Sequence, residues 1–134
     1  MNVETIMTRK VMTLSRDQTL REALELFRQN RIRHAPILED DRIVGLLTDG
    51  DLRRAQPSLL SGVRQEEFDR VLDETPVSRI MTRDPVTTTP DTSVKAVVKL
   101  LLSERYGALP VVEADRLVGI ITNVDLLRAL DRLL

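Results

Sequence analysis

Two copies of one short motif carry the side chains of this sequence that are best suited to bind a ligand. The copies are Gly45–Asp51 and Gly119–Asp125, and both contain glycine, two apolar residues, threonine, two variable residues and aspartate. Threonine followed three residues later by a carboxylate is typical of a capped helix N-terminus. The same geometry offers backbone N–H groups to a phosphate and a carboxylate to sugar hydroxyls. Capping and ligand binding are compatible, and the spacing alone leaves both open.

The composition excludes most catalytic and metal chemistry. The 134 residues include no cysteine, which removes thiolate nucleophiles, thiolate zinc sites and iron–sulfur clusters. His34 is the only histidine, and the sequence assigns it neither a nucleophile nor an orienting carboxylate. The segment Thr48–Asp51 lacks the glycine and lysine spacing of a phosphate-binding Walker loop. We therefore expect no catalytic residue, no metal-binding residue and no enzymatic activity.

Charge and hydropathy exclude two classes of partner. There are 20 basic and 21 acidic residues, a net charge of -1, which argues against binding to nucleic acid. No apolar run approaches the roughly 20 residues that span a bilayer, and the first ten residues contain no secretory apolar region. We expect a cytoplasmic protein without a membrane partner. The length is short for two classical domains and predicts one compact unit.

The elements that must position these motifs occur twice, because the sequence repeats itself at an offset of 74 residues. Ile6–Arg9 returns as Ile80–Arg83, and the match runs without a gap to Ala55 and Ala129. Each copy predicts a short strand, a helix, two strands around an acidic turn and a final helix. The resulting β-α-β-β-α order favours a mixed α/β fold of the α+β kind, with helices packed on sheet.

Local signals place these elements along the chain. The first strand is predicted at Val11–Leu14 and again at Val86–Thr88. Thr19 with Glu22 predicts a capping box for the first long helix, whereas Ser93 caps its counterpart without a reciprocal glutamate. The aliphatic run Ile43–Leu47 predicts a strand that is buried on both faces. Residues 56–76 contain proline, serine and glycine and then an acidic, helix-compatible stretch, which we interpret as a solvated connector.

This duplicated pattern resembles a pair of CBS domains, a Bateman module, of the small stand-alone prokaryotic type. The resemblance is carried by the Ile-Met-Thr entry, the loops at Arg31–Pro36 and Tyr106–Pro110, and the two threonine–aspartate motifs, and it covers nearly the whole chain. It implies one CBS repeat at residues 1–55, a connector at 56–76 and a second repeat at 77–134. In this family the two repeats are related by a pseudo-twofold axis, and their sheets pack around a central cleft.

The resemblance also implies a ligand. The cleft would hold an adenosine-containing molecule such as AMP, ADP, ATP or S-adenosylmethionine, without a required cofactor, and Mg²⁺ accompanying a polyphosphate is left open. Asp51 and Asp125 are the ribose-binding candidates, and Thr48 and Thr122 are the phosphate-binding candidates at the helix N-termini.

Further candidates come from the loops and first strands that line the cleft in similar modules. Basic side chains there would neutralise phosphates, and a glycine would let the backbone approach a base edge. Each also has a purely structural interpretation, as a solvated loop end, a turn residue or a threonine that suits a strand. These candidates are Arg33, His34, Gly107, Ala108, Thr13 and Thr87.

The hypothesis that follows is a non-enzymatic sensor that signals to an effector protein, because none of the residues suggests an output activity. The alternative is a structural dimerisation module whose cleft has no physiological ligand. The C-terminal helix supports a homodimer in either case, because it is more apolar than an exposed end requires. The residues concerned are Leu126, Leu127, Leu130, Leu133 and Leu134.

Overall fold

The computed structural model describes residues 1–58, 60 and 62–134, which form a mixed α/β structure as expected. The chain divides into two compact units, a continuous unit of Met12–Asp84 and a split unit made of Met1–Val11 with Pro85–Leu134. Length alone predicted one unit, and that prediction is wrong because the duplication provides two separate cores. Within the described part of the chain, no helix is both long and apolar enough to cross a bilayer.

The helices and strands follow the predicted order, except that the first strand of the second repeat is absent as a named strand, and there are additional short elements. In chain order they are α1 (Val3–Ile6), β1 (Leu14–Ser15), α2 (Leu20–Asn30), β2 (His34–Glu39), β3 (Arg42–Thr48), α3 (Asp49–Ala55), α4 (Gln65–Glu74), α5 (Val77–Ile80), β4 (Thr82–Arg83), α6 (Val94–Glu104), β5 (Ala108–Glu113), β6 (Arg116–Thr122) and α7 (Asn123–Leu133).

The sheet of the continuous unit has the strand order β1-β2-β3-β4. β1 lies parallel to β2, whereas the other two pairings are antiparallel. The strand predicted at Val11–Leu14 begins later, at Leu14. In β3 the residues Gly45–Leu47 are buried while Ile43 and Val44 are half-buried, so burial on both faces holds only for part of the run.

The split unit repeats the hairpin of β2 and β3 as β5 and β6, in equivalent register. Here the first predicted strand, Val86–Thr88, is reduced to a single parallel bridge between Thr88 and Val111. Both hairpin turns place two consecutive residues at positive φ, between 51° and 67°. Such turns match the right-handed twist of the strands that they join. The four turn residues are Asp40, Asp41, Ala114 and Asp115.

The predicted caps of the two long amphipathic helices are confirmed. Thr19 and Glu22 form a reciprocal capping box at the start of α2, and the Ser93 hydroxyl accepts from the Ala96 N–H at the start of α6. Each helix buries one apolar face, which includes Phe27 in α2 and Leu101 in α6. Each of these helices precedes a hairpin in the chain. The threonine–aspartate motif lies where the second strand of that hairpin ends and the next helix begins.

Each repeat begins with an entry segment, residues 1–11 in the first repeat and residues 77–84 in the second. Each entry segment belongs to the unit that contains the other repeat's hairpin. The first entry segment joins the split unit, where Thr8 and Ile120 form two backbone hydrogen bonds of 2.8 and 2.9 Å. The second entry segment joins the continuous unit, where β4 pairs with β3 and Val77 is fully buried. Each unit thus combines the hairpin of one repeat with the entry segment of the other, which the sequence did not predict.

Close approach of the entry segments explains the glycines inside β3 and β6. A Cβ atom at Gly119 would lie 2.8 Å from the Met7 sulfur and 2.9 Å from the Thr8 carbonyl oxygen. A Cβ atom at Gly45 would collide with the Met81 sulfur. Each strand is therefore approached by the entry segment of the other repeat. The methionines of these segments, Met7 and Met81, pack against the glycines.

The interpretation of residues 56–76 as a solvated connector is wrong for helix α4. Leu72 is buried in the core of the continuous unit, and Phe68 and Val71 pack against the same cluster. These positions lie three and four residues apart, which gives α4 an apolar face that its acidic composition hides. Arg21 of α2 reinforces the contact, with its Nε 2.6 Å from Asp73 Oδ1 and its Nη2 3.1 Å from Asp69 Oδ1.

Candidate ligand-binding site

Thr48 and Asp51 form a reciprocal cap at the start of α3, immediately after β3. The Thr48 hydroxyl accepts from the Asp51 N–H at 3.0 Å, and Asp51 Oδ2 accepts from the Thr48 N–H at 3.0 Å. Asp51 is only 7% exposed. The capping role predicted from the spacing is confirmed, and it holds a buried carboxylate at the end of β3.

Thr122 and Asp125 repeat this arrangement at the start of α7. The Thr122 hydroxyl accepts from the Asp125 N–H at 3.3 Å, and Asp125 Oδ2 accepts from the Thr122 N–H at 2.9 Å. The Thr122 hydroxyl also lies 3.2 Å from Oδ2 and donates to it. Asp125 is 6% exposed. Both copies of the motif therefore hold a buried carboxylate in the same local geometry.

The two carboxylates differ in what holds the remaining oxygen. Asp51 Oδ1 accepts from Arg54 Nη2 at 2.7 Å, and the Arg54 side chain is 73% exposed. Asp125 Oδ1 accepts from the Thr8 hydroxyl at 2.8 Å. Sequence reasoning missed both partners. Arg54 could have been found from its position three residues after Asp51, whereas Thr8 lies 117 residues from Asp125 and leaves no local signal.

Arg33 and His34 lie at the end of the sheet that carries Thr48. The Arg33 carbonyl accepts from the Asp49 N–H at 3.0 Å, and His34 is opposite Thr48 in the register of β2 and β3. Burial holds the pKa of His34 below its usual value, although the charges of Asp49 and Asp51 oppose this shift. The exposed guanidinium of Arg33 lowers the pKa further. These two candidates are thus brought together with Thr48 and Asp51.

Gly107 and Ala108 occupy the equivalent place in the split unit. The Gly107 carbonyl accepts from the Asn123 N–H at 3.1 Å, and Ala108 is opposite Thr122 in the register of β5 and β6. Ala108 is buried. The structure therefore groups both with Thr122 and Asp125, in surroundings that lack the basic side chains of the first copy.

Thr13 and Thr87 are not joined to these groups by any hydrogen bond in the described part of the chain. Thr13 is exposed and precedes β1, while Thr87 is half-buried and precedes the bridge at Thr88. Nor does any cluster of three histidine, aspartate or glutamate side chains suited to a metal occur among the described residues. Both groups offer carboxylate acceptors and N–H groups at a helix N-terminus, and the first group also contains the basic side chain of Arg54.

The arrangement can bind a polyol beside an anion. A carboxylate has about four acceptor positions, and the cap and the single further donor leave some of them available to each aspartate.

The CBS domain model matches residues 3–58 and again residues 77–132, which contain the two motifs. The chain belongs to the CBS domain family. This match is to a CBS domain and not to a catalytic domain.

Similar proteins include both longer and comparable chains. The chain is 34% identical to the uncharacterized protein MJ1225 of Methanocaldococcus jannaschii over 96% of its own length but spans only 42% of that relative. It is 34% identical to a CBS domain-containing protein of Dictyostelium discoideum, with 98% and 92% of the two chains covered. The crystal structure of AcuB from Vibrio cholerae matches with 33% identity, a TM-score of 0.84 and coverage of 99% and 92%.

Two similar solved structures contain adenosine compounds. CBSX2, a CBS-pair protein of Arabidopsis thaliana, is in complex with AMP and matches with 25% identity, a TM-score of 0.81 and coverage of 98% and 97%. The CBS domain pair of protein MJ0100 is in complex with 5′-methylthioadenosine and S-adenosyl-L-methionine. It matches with 25% identity, a TM-score of 0.82 and coverage of 100% and 98%.

Proposed function

We propose that this CBS pair is a non-enzymatic regulatory module that binds an adenosine-containing ligand of the AMP, ADP, ATP or S-adenosylmethionine type. In this proposal Asp51 and Asp125 accept hydrogen bonds from ribose hydroxyls, and Thr48 and Thr122 lie at the phosphate or its substitute. The observation that carries the proposal is the duplicated buried carboxylate, held at the third position of a capped helix in both repeats. The adenosine compounds bound by CBSX2 and MJ0100 support the choice of ligand.

The remaining candidates fill secondary roles in this proposal. Arg33 would neutralise a phosphate near Asp51, because a basic group at that end of the sheet favours an anion. His34, whose pKa is lowered by burial, would contact the ligand through a hydrogen bond of its neutral imidazole. Gly107 and Ala108 would bring backbone close to a base edge, and Thr13 and Thr87 would each be a secondary ligand contact. No cofactor is required, and a polyphosphate would bring its own Mg²⁺.

The output of the module would pass to an effector protein in the cytoplasm, where adenine nucleotides are available. A ligand can shift a conformational equilibrium only through its different affinities for the two states. The proposed ligand would therefore favour one arrangement of the module, and the effector protein would recognise that arrangement.

A thermal-shift panel tests the ligand directly, using AMP, ADP, ATP with and without Mg²⁺, and S-adenosylmethionine. A ligand at 100 times its Kd adds about 2.7 kcal/mol of stability, which is several degrees for a chain of this size. We expect Asp51→Asn and Asp125→Asn to reduce the shift, because an amide can still accept at the cap but carries no charge.

The control is Glu22→Gln, which makes the matching change in the capping box of α2, a helix with no proposed ligand role. This variant should lower the melting temperature of the free protein and keep the full ligand shift. Retention of the full shift in both aspartate variants would show that the assignment of the ribose site is wrong.

Dimerisation without a physiological ligand is the second candidate function, and the surface of α7 favours it. Leu127, Leu130 and Leu133 are 64%, 50% and 73% exposed, although they are large apolar residues on one helix. Sedimentation over a dilution series should show a dimer that weakens in the double variant Leu127→Gln, Leu130→Gln. Leu102→Gln on α6 is the control, since Leu102 is 75% exposed on another helix. A monomer at every concentration would reject this function.

A further inference from the structure

The Thr8 hydroxyl connects a distant segment of the chain to the candidate ribose-binding carboxylate of the split unit. It donates to Asp125 Oδ1 at 2.8 Å, while the Thr122 N–H donates to Oδ2 at 2.9 Å. Thr8 is itself held in place by its two backbone hydrogen bonds with Ile120, of 2.8 and 2.9 Å. Oδ2 of Asp125 is therefore held by the helix cap, and Oδ1 is held by a side chain whose own backbone is bridged to β6.

The first copy of the motif lacks this connection. Thr82 is the repeat equivalent of Thr8 and is opposite Leu46 in the register of β3 and β4, just as Thr8 bridges to Ile120. Thr82 is exposed, however, and Asp51 Oδ1 is held by Arg54, a surface side chain of the same helix. Thr8 and Thr82 thus have equivalent backbone positions in the two units, but only the Thr8 side chain is hydrogen-bonded to the aspartate of the motif.

We propose that Thr8 is a positioning residue of the Asp125 ligand site. This inference rests on the proposed function, because it assumes that Asp125 accepts from a ligand. A carboxylate already fixed in its binding orientation loses little freedom when the ligand arrives, so a tethered Asp125 binds more tightly than a freely rotating one. Each carboxylate oxygen has two acceptor positions, so a ribose hydroxyl can share Oδ1 with Thr8.

A second consequence is reciprocal coupling between the ligand and the entry segment Met1–Val11. If docking of Thr8 favours ligand binding at Asp125, then ligand bound at Asp125 must favour docking of Thr8 by the same factor. The Thr8 and Ile120 amides should therefore exchange with solvent more slowly when the ligand is present.

The test is calorimetric titration with AMP and with S-adenosylmethionine in an Asp51→Asn background, which isolates the Asp125 site. Thr8→Val keeps the branched shape and removes the donor, and we expect it to weaken binding about tenfold, the size of a hydrogen bond to a charged group. Thr8→Ser restores the donor and should bind within about twofold of the parent. Thr82→Val is the matched control and should leave the dissociation constant unchanged.

The outcomes separate this inference from the proposed function. If Asp125→Asn abolishes binding while Thr8→Val binds as tightly as the parent or more tightly, the positioning role is overturned and the proposed function stands. If no ligand of the thermal-shift panel binds the wild-type chain, or if Asp125→Asn binds normally in the Asp51→Asn background, both are overturned. A merely structural role for Thr8 would lower the melting temperature of Thr8→Val without changing its dissociation constant.

Hydrogen exchange gives a readout that does not depend on the folding of any variant. In the wild-type protein, AMP or S-adenosylmethionine should slow exchange of the Thr8 and Ile120 amides, which bond to Ile120 and Thr8 carbonyls. Unchanged exchange rates at saturating probe would overturn the coupling even if Thr8→Val could not be purified in folded form.

Discussion

His34 is the residue at which the stability of the continuous unit should respond to pH. Burial lowers its pKa in the folded chain, so the unfolded chain binds the proton more readily. The contribution of this group to stability is complete above the ordinary histidine pKa of about 6.5 and falls as the pH drops through that value. We expect His34→Gln to lose less stability than the wild type between about pH 7.5 and pH 5.5, as measured by urea unfolding. Equal losses of stability in the two proteins would mean that the pH dependence comes from a group other than His34.

Gly119 should tolerate a methyl group less well than Gly45. Its added Cβ would meet the Thr8 carbonyl oxygen at 2.9 Å, and backbone cannot move as freely as a methionine sulfur. At Gly45 the corresponding carbonyl oxygen, of Thr82, is 3.1 Å away. We expect Gly119→Ala to cost about 1–3 kcal/mol of unfolding free energy and Gly45→Ala to cost less. Chemical denaturation of both variants checks this order, which equal costs would contradict.

Much of the candidate site could be predicted at the scale of single residues. Thr48, Asp51, Thr122 and Asp125 were recognisable because a cap is a local structure, decided by residues three positions apart. The bond from Thr8 to Asp125 could not be predicted, because it depends on tertiary packing of segments distant in sequence.

Helix α4 should be held mainly by its apolar face and only secondarily by its ion pairs. Leu72 is buried in the core that contains Phe27 of α2, whereas Arg21 and its acidic partners are exposed to solvent. We expect Leu72→Ala to cost about 2–5 kcal/mol of unfolding free energy, because it removes buried methyl groups and leaves a cavity. Arg21→Gln should have a much smaller effect, since solvent screens exposed ion pairs. Urea unfolding of both variants gives the comparison, and the reverse order would refute it.

The elements that were predicted correctly are those with signals inside their own sequence. The capping box at Thr19, the Ser93 cap of α6 and the acidic hairpin turns each occupy a short stretch of chain. The strands β1 and β4 have only two residues each and exist because a neighbouring strand pairs with them. Their bounds therefore follow from the sheet rather than from local propensity.

The continuous unit should fold by itself, although the first repeat should not. A fragment of residues 12–84 keeps Val77 and Met81 packed on the core and β4 paired with β3. A fragment of residues 1–58 lacks all three and leaves the core of the first repeat open. We expect cooperative thermal unfolding, followed by circular dichroism, for residues 12–84 only. Cooperative unfolding of residues 1–58 would show that the entry segments are interchangeable.

The division into units was beyond sequence analysis for a specific reason. Ile6–Met7–Thr8 and Ile80–Met81–Thr82 are identical in sequence, so these residues do not by themselves distinguish one hairpin from the other as a partner. The repeat reveals that two such segments exist but contains no information about which hairpin each one joins.

The split unit also has a consequence for the order of events during synthesis. A ribosome releases the chain from its N-terminus, and domains fold as their residues become available. The continuous unit is complete once Asp84 has emerged, whereas Met1–Val11 belongs to a unit whose other residues run to Leu134. Met1–Val11 leaves the ribosome before the continuous unit does, so the apolar side chains of Val3, Ile6 and Met7 lack their partners in the split unit until β5 and β6 have emerged.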